Sequence, residues 1–225
     1  MSDARSMTGW LLLGLLTVVA AGAAAIGVAQ SPKNVPLYSC AAGQHGLKCS
    51  GAVTNTLTAH NYTEVVVEKT PNGNQTENLV YQAPDRLGGY IQSGTRRTYV
   101  VVIGSVLYQS LTVSTTAPTT HLTFYKQSLA PGQGATSLDR VNTYLPYVWQ
   151  SKNVTNSGSV YTFTLTKSGQ TGSFKYTVSG QYVSQFILTV ASASVQLDIS
   201  QVGSSPAVAL PAGARVAGTA PSSAG

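Results

Sequence analysis

Hydrophobic positions in this chain follow two rhythms. From Trp10 to Val28 they are continuous, a run of Leu, Val, Ala, Gly and Ile without a charge. From Thr63 onward they alternate with polar residues, the period-2 pattern of strands with one buried face. This alternation predicts strands over Thr63–Thr70, Glu77–Ala83, Arg97–Val113, His121–Gln127, Val160–Thr166, Ser173–Ser179, Gln185–Val190 and Ser194–Ser200. Pro71-Asn72-Gly73-Asn74, Gly104-Ser105, Gly169-Gln170 and Gly180-Gln181 supply turns between them. One segment departs from the alternation. Ser137, Leu138, Val141, Leu145 and Val148 fall near helical spacing, with Ser137 placed to cap the helix, Pro146 to kink it and Trp149 to close it.

Strands of this length and order predict a mainly β (α+β) domain: a strongly curved antiparallel sheet, an open half-barrel, with one or two helices on its concave face. Concave area that the helix leaves uncovered would form an apolar groove, and such grooves bind apolar ligands at about 0.8 kcal/mol per buried CH₂. The candidates for its lining are the large inward side chains. On the first strands these are Tyr81, Tyr99, Tyr108 and Phe124. The helix offers Leu138, Val141, Leu145 and Trp149, and the last strands offer Phe163, Phe174, Tyr176 and Phe186. A register error of one residue would exchange the two faces, so the alternation alone does not assign them to the groove or to an ordinary core.

The first run changes the picture of where the domain works. About 19 uncharged residues suffice to cross a bilayer core. Residues 1–29 read either as a retained membrane anchor, with Trp10 at the interface, or as a signal peptide cleaved after Gly27-Val28-Ala29. Both readings deliver the body outside the cytoplasm. Residues 30–50 form a linker with Pro32 and Pro36, followed by Cys40 and Cys49, which in an oxidising compartment read as a disulfide closing a short loop. The folded domain is expected over residues 51–210 and a disordered tail over 211–225.

Composition fits an exported β-protein. Only 9% of the 225 residues are charged, against roughly 25% in ordinary soluble domains. Thirteen basic residues against seven acidic give +6. Arg96-Arg97 is the one adjacent basic pair, a solvated strand end or a patch for anionic lipid headgroups. No aromatic–basic motif points to nucleic acid. No nucleophile elbow, zinc motif or phosphate loop is present, and Gly132-Gln133-Gly134 lacks the context of a dinucleotide site. The histidines, His45, His60 and His121, lie far apart, and seven acidic residues leave little for paired-carboxylate catalysis. The sequence therefore reads as a non-enzyme without metal or cofactor.

Three stretches resemble one family. Asn78-Leu79-Val80-Tyr81-Gln82-Ala83-Pro84-Asp85-Arg86 is similar to a strand-and-turn of actinobacterial LolA-like proteins, the group of lipoprotein carriers that includes the LppX and LprG lipoproteins. Val102-Ile103-Gly104-Ser105-Val106-Leu107-Tyr108-Gln109-Ser110 resembles the hairpin that follows it there. Val195-Gln196-Leu197-Asp198-Ile199-Ser200-Gln201-Val202-Gly203, with Pro206 and Val208, resembles the last strand and its exit. The resemblance implies a half-barrel that shelters acyl chains and carries lipids or lipoproteins in the cell envelope. It departs from the family in having no lipobox, since the first cysteine, Cys40, lies well past the apolar run. It places a first helix near Cys49–His60, where Gly51–Thr58 is a poor helix-forming sequence. The expected partners are acyl chains, the membrane through the first segment, and an envelope protein. A regulatory module like the sigma-factor regulators on this fold, or a surface scaffold with a filled core, are the alternatives.

Overall fold

The computed structural model describes residues 51–150, 154–167 and 169–218. The apolar run from Trp10 to Val28, the linker, and the Cys40/Cys49 pair lie outside the described residues. Among the described residues no helix is long and apolar enough to cross a membrane.

The alternating stretches form strands. In chain order these are β1 (Asn61–Thr70), β2 (Gly73–Gln82), β3 (Arg86–Ser93), β4 (Arg96–Ile103), β5 (Val106–Ser110), β6 (Val113–Ser114), β7 (Thr123–Ser128), β8 (Val154–Ser157), β9 (Val160–Lys167), β10 (Gln170–Ser179), β11 (Tyr182–Val190), β12 (Ala193–Ser200) and β13 (Arg215–Ala217). All belong to one curved, open sheet in the order β13-β7-β5-β4-β3-β2-β1-β12-β11-β10-β9-β8, with β6 beside β4. Neighbours are antiparallel except β13, which runs parallel to β7. The first and last long strands therefore meet at the centre: β1 pairs with β2 on one side and with β12 on the other.

Strands β3, β8 and β13 were not legible in the sequence. Gly88-Gly89 weakens the strand signal of β3, and the two glycines are there for space. A Cβ on Gly88 would lie 2.9 Å from Val208 Cγ1, and one on Gly89 (φ +154°) would lie 2.0 Å from the Asn78 carbonyl oxygen. Gly89→Ala is expected to cost more than about 2 kcal/mol, read as a lower urea midpoint, because strain and a backbone clash coincide in the β2–β3 ladder. Strand β13 corrects the tail expected to be disordered from residue 211. Arg215–Ala217 pairs with Thr123–Tyr125, so the edge of the sheet captures its backbone groups.

Helices cover one face of the sheet, here the inner face. Helix α1 (Gly51–Leu57) forms where the sequence is poor in helix formers. Tertiary contact overrides propensity: Val53 is fully buried, and Thr56 Oγ1 donates to the Ala52 carbonyl at 2.7 Å while accepting from the Val183 amide at 2.9 Å. The single helix expected after Ser137 is instead three pieces: α2 (Ala135–Leu138), α3 (Arg140–Tyr144) and a 3₁₀ turn (Leu145–Gln150). Asp139 breaks it. Its backbone is extended (φ −72°, ψ 130°), ending α2 and capping α3. Pro146, which has no N–H to continue an α-helix, lies in the 3₁₀ turn. Ser137 is not the N-cap. It sits three residues in, and its hydroxyl accepts from the Gly134 amide at 2.9 Å.

Candidate functional site

The inner face is assembled by strand parity. Tyr62 and Val66 of β1, Leu79 and Tyr81 of β2, Phe163 of β9, Phe174 and Tyr176 of β10, Phe186 of β11 and Leu197 of β12 all point towards the helices and are buried. Rings dominate the β9–β11 end. Phe163 stacks on Phe174 with centroids 4.7 Å apart, Tyr161 on Tyr176 at 4.7 Å, and Tyr147 leans on Phe174 at 5.7 Å. Val141, Leu145 and Val148 of the helical cover are fully buried against them.

The expected lining residues divide between the two faces. Tyr81, Leu138, Val141, Leu145, Phe163, Phe174 and Tyr176 come together on the inner face, with Leu138 half-buried. Tyr99, Tyr108 and Phe124 stand on the outer face, in a second cluster with Val101, Leu122 and Val208. Register separates them: Val100 and Val102 of β4 point inward, so Tyr99 and Val101 point outward. Trp149 lies in the 3₁₀ turn.

The inner face also holds a polar network that went unread in the sequence. Glu64 and Glu68 share the inward parity of Tyr62 and Val66, and Gln75 and Glu77 share that of Leu79 and Tyr81. Four of the chain's seven acidic residues, Glu64, Glu68, Glu77 and Asp139, are thereby buried around Arg140. Arg140 grips Glu77 with two charge-assisted bonds, Nε to Oε2 at 3.0 Å and Nη2 to Oε1 at 2.8 Å, and lies 3.9 Å from Glu68. Gln75 donates to Glu77 Oε1 at 2.9 Å. Asp139 Oδ2 accepts from the Tyr62 hydroxyl at 2.6 Å, the Asn142 amide at 2.9 Å and the Asn142 side chain. Glu64 accepts from the Arg140 and Val141 amides at 3.4 and 3.3 Å.

The network shifts its members together. Burial, then the neighbouring Asp139, pushes Glu64 well above the usual carboxylate range. Burial likewise raises Asp139 against the bonds it accepts. Glu68 is pushed up to about 7 by burial, with Arg140 opposing and Glu77 adding. Burial alone would lower Arg140, but Glu77 outweighs it and the guanidinium stays charged. Among the described residues no group of His, Cys, Asp and Glu has the arrangement of a metal site.

An open groove of about 160 Å³ lies on the outer face. Val80, Gly88, Tyr99, Val101 and Phe124 form its floor, and Val208 and Pro211 of the C-terminal segment its wall. That segment is strapped across the sheet: Gln82 Oε1 accepts from the Val208 amide at 3.3 Å, and Arg86 donates to the Val208 carbonyl at 3.1 Å. On the same face of β4 as Tyr99, Arg97 is half-buried, its guanidinium 3.9 Å above the Tyr90 ring and bonded to Gln92 at 2.8 Å, while Arg96 is exposed. His60 and His121 are exposed.

No protein-family model matches this chain, and no curated protein matches it in sequence. Among solved structures it is similar to the lipoprotein LppX of Mycobacterium tuberculosis, with a TM-score of 0.48 and 13% identity over 71% of this chain and 94% of that one. It is also similar to LprF from Mycobacterium bovis, with a TM-score of 0.47 and 12% identity over 72% of this chain and 93% of that one.

Proposed function

We propose that this protein is a non-catalytic module of the cell envelope that holds lipid acyl chains between the inner face of its sheet and the helical cover, and carries lipids or lipoproteins. One observation carries the reading. Strands β1–β4 and β9–β12 all turn apolar side chains to one face, and among the described residues that face is roofed only by two short helices, the four-residue turn of α2 and a 3₁₀ turn. Short helices docked singly are easily lifted, because each buries little area and propensity adds little. The motif resemblance supports the same reading, and the apolar first segment would place the domain outside the cytoplasm. The acids of the interior do not argue for an enzyme: Glu64 and Asp139 are completely buried, out of a substrate's reach.

A second reading is favoured by the filled interior. Twenty-four apolar residues of the inner face and its cover are at most 8% exposed, as in a scaffold with an ordinary core. Native mass spectrometry of the full chain purified from membranes, with uptake of a fluorescent fatty acid, separates the two. The carrier reading expects a bound lipid mass and saturable uptake. An unliganded mass with no uptake would overturn it and leave the scaffold.

A further inference from the structure

Among the described residues four carboxyl groups, Glu64, Glu68, Glu77 and Asp139, face a single guanidinium in the interior, so full ionisation would leave an excess of three negative charges there. Uncompensated buried charge is too costly to persist, and the groups bind protons instead. Geometry says where. Glu77 is claimed by Arg140 through two bonds. Asp139 takes its donors on Oδ2, whereas Oδ1 is completely buried and receives no N–H or other hydroxyl among the described residues. Glu64 lies within hydrogen-bonding reach of the Asp139 carboxyl group, its two oxygens held by the amides of the two residues after Asp139. A proton on Glu64 donated to Oδ1 satisfies the orphan oxygen and removes one charge.

We propose that Glu64 and Asp139 share one proton, and that this proton, together with Arg140 gripping Glu77, latches the helical cover to β1 and β2, so that the cover lifts as the pH rises. The latch joins Glu64, Glu68 and Tyr62 of β1 and Gln75, Glu77 and Tyr81 of β2 to Asp139, Arg140, Tyr144 and Tyr147 of the cover. Strand β12 adds no titratable side chain to this side, where it offers Val195, Leu197 and Ile199. The tyrosines stay neutral, because burial raises each of them. The sign follows from linkage. The closed cover binds a proton that an opened, hydrated Glu64 would release above an ordinary glutamate pKa of about 4.3. Closure is therefore complete in acid and is lost as pH rises towards the closed-state value. The inference concerns the cover alone and stands whether or not the interior takes lipid.

Hydrogen exchange of amides 135–148 in the full chain, corrected for intrinsic rates, tests it. The opening constant should grow by about tenfold per pH unit above about pH 5 for each proton released. In Glu64→Gln, whose amide donates to Asp139 without titrating, the slope should fall by one proton. A pH-independent opening in the native chain, or an unchanged slope in Glu64→Gln, would overturn the proposal. Infrared spectra of the native chain decide the matter even if that variant fails to fold: a protonated carboxyl band at neutral pH is expected, and its absence refutes the shared proton.

Discussion

Arg140→Ala should destabilise the protein by about 3–5 kcal/mol at neutral pH, the cost of leaving buried charge without its partner. Among the described residues Arg140 is the sole cation of the interior network, bonded twice to Glu77 and 3.9 Å from Glu68. Without it Glu77 and Glu68 must either stay charged in an apolar surround or take up protons. The loss should therefore grow with pH, since proton uptake is cheap in acid and costly in base. Urea unfolding across a pH series gives both the magnitude and the trend. A companion variant separates charge from packing. Arg140→Met with Glu77→Leu removes both charges and keeps the volume, and should recover most of the loss. A loss below about 1 kcal/mol in Arg140→Ala would place the pair among weak surface ion pairs and contradict the network described here.

Phe174→Ala should cost a similar amount, about 3–5 kcal/mol, for a different reason. Phe174 is fully buried and touches three rings: Phe163 at 4.7 Å, Tyr147 at 5.7 Å and Phe186 at 6.0 Å. Removing its ring leaves a void between sheet and cover that the stiff neighbouring strands cannot close. For a domain of this size, thermal unfolding should fall by roughly 10 °C or more. Unlike Arg140→Ala, this loss should not change with pH, because no titratable partner is exposed or created. The two variants thus distinguish the electrostatic and the packing halves of the same interior.

The strands of the fold were legible where alternation was clean. Tyr161, Phe163 and Leu165 of β9 and Val195, Leu197 and Ile199 of β12 point as their period-2 spacing requires. The hairpin at Gly104-Ser105 was legible for the same reason, with Gly104 in the left-handed conformation that the turn needs. Legibility failed where a long-range contact, rather than a local pattern, decides the outcome. Helix α1 depends on Thr56 reaching the Val183 amide, a residue more than a hundred positions away. Strand β3 depends on the closeness of Val208 and Asn78 to its glycines. The candidate site was half legible. Inward aromatic residues of β9 and β10 were found, but Tyr99, Tyr108 and Phe124 fell on the opposite face. The acid network was missed although its parity was visible, because Glu64 and Glu68 alternate with Tyr62 and Val66 and charged residues are ordinarily assigned to the solvent side.

Acyl chains should reach the inner face and not the groove under the C-terminal strap. Photo-crosslinking with a fatty acid carrying a diazirine in its chain reads this directly. The account predicts label on peptides spanning residues 140–148 and 174–188, from the cover and from β10 and β11. Label confined to Val101, Phe124 and residues 207–211, or none above background, would contradict it.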